Sequence, residues 1–125
     1  MAYDIKPGAL FAPLEVIDAG KLVDAPPTNE KWWNRTLAQV NDSLARIGVF
    51  EGEFHFHKHD NEDELFFVLD GLLYLDFEEA GGVRSVELAP RQGMVVPRGV
   101  VHRTRAKVRT VVLMVEPATV VPTGD

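Results

Sequence analysis

From Thr36 to Glu116 the chain is cut into short apolar runs by turn signals, and that punctuation constrains its fold more than any other feature. Asn41-Asp42-Ser43, Asp60-Asn61-Glu62-Asp63, Asp70-Gly71, Ala80-Gly81-Gly82, Ala89-Pro90-Arg91-Gln92-Gly93 and Pro97-Arg98-Gly99 each interrupt a stretch rich in Val, Leu, Phe or Thr. Gly, Asn and Asp tolerate the left-handed dihedrals of tight turns, and Pro fixes one of them. No long stretch repeats its apolar residues at helical spacing. Strands are therefore expected over Thr36–Val40, Leu44–Phe50, Gly52–His59, Leu65–Leu69, Leu72–Phe77, Val83–Leu88, Met94–Val96, Val100–Val108 and Arg109–Glu116. Together they predict an all-β sandwich or barrel.

Ahead of this region, Pro7, Gly8 and Pro13 mark residues 1–13 as an arm. Short strands are expected at Glu15–Asp18 and Lys21–Val23, and Pro26–Asn29 reads as a break. Lys31–Asn34 is left open between a helical turn and an extended link. The division is an N-terminal arm over 1–35, packing on the barrel or on a partner, a barrel over 36–116, and a C-terminal tail over 117–125. A chain of 125 residues fits one domain with a core of its own. Its formal net charge of -6 argues against a general nucleic-acid binder. No apolar run approaches the roughly 18 residues of a membrane span. The N-terminus lacks the basic-then-apolar layout of a signal peptide, so a cytoplasmic protein is expected.

All four histidines bear on chemistry. His55, His57 and His59 alternate with Phe56 and Lys58, so a strand would turn the three imidazoles to one face. Glu64 follows the polar turn. His102 stands far downstream, sharing a strand face with Thr104 and Ala106. There is no cysteine, so a metal site here uses nitrogen and oxygen donors. Three neutral imidazoles and a carboxylate suit Mn, Fe, Co, Ni, Cu or Zn better than Ca or Mg. His55 lies further along the strand than an ion shared with His57 and His59 requires, so it is expected to line the pocket or support a ligand. Arg98, near the mouth, is the candidate to meet an anionic substrate. No glycine-rich phosphate loop is present, and no catalytic residue can be assigned.

These residues carry a resemblance. His57-x-His59-x4-Glu64-x6-Gly71 looks like the first motif of the cupin superfamily, and Gly93-x3-Pro97-x-Gly99-x2-His102 looks like the second. The runs "DELFFVLDG" and "VVPRGVVHR", and the tail from Glu116-Pro117 to Thr123-Gly124-Asp125, resemble short single-domain cupins. The segment between Gly52 and His57 is one residue shorter than the usual motif, and Ala106 stands where the extended second motif carries asparagine. The resemblance covers about Thr36 to Glu116. It implies a single-domain β-barrel of the jelly-roll, or double-stranded β-helix, type, often a homodimer. It also implies one divalent transition metal per chain, held by His57, His59, Glu64 and His102.

Three functions follow as expectations. The first is a metal-dependent enzyme of small-molecule metabolism with dioxygenase-like chemistry. The second is a sugar-phosphate isomerase-like enzyme, and the third a non-catalytic module for a metal or small ligand. Each takes a small-molecule partner, with no nucleic acid and no membrane.

Overall fold

The computed structural model describes residues 8–24 and 30–125. The first seven residues of the arm and the break at Pro26–Asn29 lie outside the described residues. One short helix, α1 (Ala19–Asp24), precedes seven strands: β1 (Trp32–Val40), β2 (Ser43–Glu53), β3 (Glu64–Asp70), β4 (Leu73–Glu79), β5 (Gly82–Leu88), β6 (Gly93–Val96) and β7 (His102–Pro117). No helix among the described residues is long and apolar enough to cross a membrane.

Strand β7 is the spine of the barrel. It pairs antiparallel with β2 along one edge, and with β3 and β4 along the other. β1 extends the sheet beyond β2, β6 beyond β3, and β5 beyond β4. The hairpins follow the turn chemistry. Val40 pairs with Ser43 across Asn41-Asp42, with Asn41 in the left-handed region at φ 49°. Gly71 has φ 90°, and a Cβ there would stand 2.7 Å from the Arg109 carbonyl oxygen, so only glycine fits between β3 and β4.

Burial alternates along these strands with one phase. Even-numbered residues of β2, β3 and β7 (Phe50, Phe66, Val68, Ala106, Val112 and Met114) join Leu73, Leu75 and Phe77 of β4 in the interior. On the outer face, Ile47, Val49 and Val111 pack with Trp33 and Leu37. Phe11, Ala19, Leu22 and Val23 cover that second cluster. The N-terminal segment is tied down by hydrogen bonds from Leu10 N–H to the Thr36 carbonyl (3.1 Å) and from Phe11 N–H to the Leu37 carbonyl (2.9 Å). Trp32 stacks on Phe50 at 4.5 Å between ring centroids, so both tryptophans pack within the chain.

Several elements differ from expectation. Of the two strands foreseen in Glu15–Val23, the first is irregular and the second lies in α1, which Asp18 caps: the Lys21 N–H donates to Asp18 Oδ1 at 3.3 Å. β1 starts at Trp32 and not at Thr36. The two strands foreseen between Val100 and Glu116 are one strand of 16 residues. Regular pairing of β2 ends at Glu53, after a bulge at Phe50/Gly52, so His55–His59 is not a regular strand. There only His57 keeps a bridge, and its partner is His102.

Candidate metal centre

The irregular segment is aligned by backbone bonds. The His57 N–H donates to the His102 carbonyl at 2.9 Å, and the His102 N–H returns to the His57 carbonyl at 2.8 Å. This clamp sets the two imidazoles 4.5 Å apart between centroids. His59 is placed by the turn before β7: Gly99, at φ 81°, sends its N–H to the His59 carbonyl at 2.8 Å. Glu64 opens β3 on the interior face. Its Oε1 lies 3.5 Å from His102 Nε2 and 3.7 Å from His59 Nε2. The ligand nitrogens of His57, His59 and His102 all lie within 4.8 Å of one another. Around an ion about 2.1 Å from each donor, adjacent octahedral donors stand about 3.0 Å apart and opposite ones about 4.2 Å. The two Glu64 distances, 3.5 and 3.7 Å, fall between these values.

The tautomers suit a cation. His57 Nδ1 lies 2.9 Å from the His55 carbonyl, and His102 Nδ1 lies 2.9 Å from the Val100 carbonyl. A carbonyl only accepts, so each Nδ1 carries the hydrogen and each Nε2 keeps a lone pair.

Two further groups complete the interior. Glu116 of β7 lines the same cavity as Glu64. Arg46 of β2, 1% exposed, sets its Nε 3.7 Å from Glu116 Oε1 and donates to Asn34 Oδ1. Asn34, Arg46, His57, Glu64, Thr104 and Glu116 line a cavity of about 30 Å³, with Phe50, Phe54, Phe66 and Met114 as its apolar wall. The C-terminal tail closes over it. Pro122 lines the cavity, Val120 is buried, and the Asp125 N–H donates to the Lys58 carbonyl at 2.9 Å.

The cupin domain, as a family, matches residues 45–116. The chain belongs to the cupin family. An uncharacterized protein, YdbB of Bacillus subtilis, is 42% identical over 95 residues, covering 76% of this cupin and 81% of YdbB. The crystal structure of a cupin-2 domain protein from Shewanella frigidimarina superposes with a TM-score of 0.73 at 30% identity, over 82% of this chain and 94% of that one. A cupin superfamily protein from Desulfitobacterium hafniense gives 0.66 at 17% identity, over 90% and 97%.

In this cupin, burial dominates the electrostatics of the cluster. It lowers His57 to about 4, helped by the neighbouring imidazoles and opposed by the His55 carbonyl. Burial also lowers His59 and His102. All three are neutral at neutral pH, the state a metal needs. Burial raises Glu64, and burial together with Glu64 raises Glu116 well above the ordinary carboxyl range.

The residues fit a divalent cation. His59 Nδ1 and Nε2, His102 Nε2 and Glu64 Oε1 are buried and have no hydrogen-bond partner. Each such atom costs about 1–3 kcal/mol if left unsatisfied. The imidazole nitrogens of His57, His59 and His102 lie close together, and Glu64 Oε1 approaches those of His59 and His102, so a cation satisfies atoms that cannot satisfy one another.

The remaining sequence candidates stand apart from this cluster. The exposed His55 has its Nε2 2.8 Å from the Thr123 carbonyl, so its ring anchors the tail while its own carbonyl orients His57. Arg98 is on the surface, where Asp63 accepts from its Nε at 3.2 Å and its backbone N–H at 2.9 Å. Sequence reasoning missed Asn34, Arg46 and Glu116. Their signal was available: each is a polar residue at an interior phase of an otherwise apolar strand.

Proposed function

We propose that this cupin holds one divalent transition metal through His57, His59, Glu64 and His102. We further propose that it is a metal-dependent enzyme of small-molecule metabolism with dioxygenase-like chemistry. Two observations support the reading: the imidazole donors of His57, His59 and His102 lie within 4.8 Å of one another, and His59, His102 and Glu64 carry buried atoms with no partner. Held by these residues, such an ion would supply a Lewis acid that polarises a small molecule beside it. The protein's own part is to exclude water and to orient. Phe50, Phe54, Phe66 and Met114 make the cavity wall apolar, which strengthens every charge interaction inside it. The His55 and Val100 carbonyls fix the two outer ring nitrogens.

The cavity of about 30 Å³ suits a ligand of a few heavy atoms more than a sugar phosphate, and Arg98 is already engaged by Asp63. The dioxygenase-like reading is therefore preferred to the isomerase-like one. Elemental analysis of tag-free protein, followed by oxygen uptake on a panel of enols, thiols, catechols and diketones, tests both levels. One metal per chain with turnover of a panel member supports the reading. A loaded protein that consumes no oxygen with any of them contradicts the enzyme assignment and leaves a binding module. Homodimerisation is a separate proposal, and a monomer mass by light scattering at micromolar concentration contradicts it.

A further inference from the structure

Arg46 is the only buried arginine or lysine among the described residues. Arginine carries five donors and is never neutral in a protein, so burying one without full pairing is costly. Here pairing is incomplete: Glu116 stands beside Nε and Asn34 accepts from Nη2, but Nη1 is buried with no partner. Oε2 of Glu116 is likewise unpartnered. Both side chains line the same cavity as His57 and Glu64. Arg105, elsewhere in this barrel, sets its Nε and Nη2 on both oxygens of Asp76, and its side chain is 20% exposed to water.

Formal charge points the same way. With a divalent ion in place, the cavity holds that ion, Arg46, Glu64 and Glu116. Even with both carboxyls ionised, they offset Arg46 and only one charge of the ion, so the interior keeps a net positive charge. An apolar wall makes that excess felt by whatever enters. The guanidinium fork matches a carboxylate better than any neutral oxygen group.

We propose that Arg46, supported by Asn34, is the recognition group for a carboxylate or similar small oxyanion in this cavity. The ligand class is a small organic acid of a few heavy atoms, with one end on Arg46 and an oxygen turned toward the metal centre. The second contact rests on the metal reading above; the first does not.

The experiment titrates the Co(II)-loaded protein with formate, acetate and oxalate, and with the neutral isosteres formamide and acetamide. Binding is followed by the visible cobalt bands, with metal content measured on the same samples. The expected result is carboxylate binding at least about tenfold tighter than amide binding, and a loss of about tenfold or more in Arg46→Gln at unchanged metal content. A preference retained in Arg46→Gln reflects the metal's charge alone and overturns the proposal. So does a wild type that treats carboxylates and amides alike. If Arg46→Gln does not fold, wild-type protein carrying 15N-arginine and Zn(II) gives the answer. The buried guanidinium signal shifts with formate and not formamide, and an unmoved signal overturns the proposal. If wild-type protein takes up no metal, the metal reading fails by itself. The anion site is then read in metal-free protein by the same nitrogen signal.

Discussion

Two buried polar clusters sit on opposite faces of the same stretch of β7, one residue apart. Arg103 and Arg105 point outward to Asp76, while His102 and Thr104 are buried on the inner face. The outer cluster is closed. Asp76, 1% exposed, accepts from Ser85 Oγ at 2.6 Å, from Arg103 Nε at 2.8 Å, and from Arg105 Nε and Nη2 at 3.0 and 3.1 Å. The guanidinium carbons of the two arginines then stack over Phe56 and Tyr74 at 4.6 and 4.4 Å. The inner cluster is open: five of its side chains carry buried polar atoms with no partner. A network that satisfies itself stabilises the fold. One that is buried and unsatisfied is complete only with a ligand.

The contrast is sharpest for metal. Replacing His102 by Ala removes a donor from the open cluster, and affinity for Co(II) by equilibrium dialysis should fall by more than about a hundredfold, the most that an outer-shell partner usually carries. Asp76→Asn, one strand away on the other face, should leave that affinity unchanged.

Stability should show the reverse order. Asp76→Ala leaves two partly buried guanidinium groups without their shared acceptor and should cost about 2–3 kcal/mol in urea unfolding. Glu64→Gln in metal-free protein should cost less than about 1 kcal/mol or stabilise it, since burial already penalises that carboxylate. Equal costs at both positions would erase the distinction between the clusters.

Acid separates them again. His57 titrates at about 4 in the fold and at about 6.5 unfolded, so the unfolded chain takes up the proton first. Metal-free protein therefore loses stability from this group as pH falls from about 6.5 to about 4, and His57→Ala should flatten that interval. The raised carboxyls of Glu64 and Glu116 act oppositely: they keep a proton in the fold, and their contribution fades as pH rises through their raised values. Asp76 is held far below the ordinary carboxylate range, chiefly by Arg105, then by Ser85 and Arg103. Its contribution is present above about 3.9 and lost as pH falls below that value, so Asp76→Asn should flatten only the most acidic limb. Urea midpoints measured across pH for the three proteins check both intervals.

The smallest effect is expected at the surface. Arg98→Gln breaks an exposed pair with Asp63 and should change stability by no more than about 0.5 kcal/mol, with metal content intact.

The barrel was legible in the sequence because turn residues and alternation agree over most of the chain. Glu64 and His102 were legible for the same reason, since each opens a regular strand whose phase sets its face. The direction of the His55 ring was not legible, because alternation holds only while the ladder lasts. Pairing of β2 stops at Glu53, and the ring at 55 turns to Thr123. Arg46 and Glu116 were hidden for another reason. A lone charge in an apolar strand reads alike on either face until register is known, and here Leu44↔Glu116 and Arg46↔Met114 set both charges on the inner face. The α1 cap at Asp18 was a local signal masked by the β-branched run around it.

X-ray absorption at the metal edge of loaded protein tests the central claim most directly. The expected result is a first shell of nitrogen and oxygen at about 2.1 Å with the multiple-scattering signature of three imidazoles, reduced to two in His57→Ala. A first shell with one imidazole or none, or one unchanged in that variant, contradicts it.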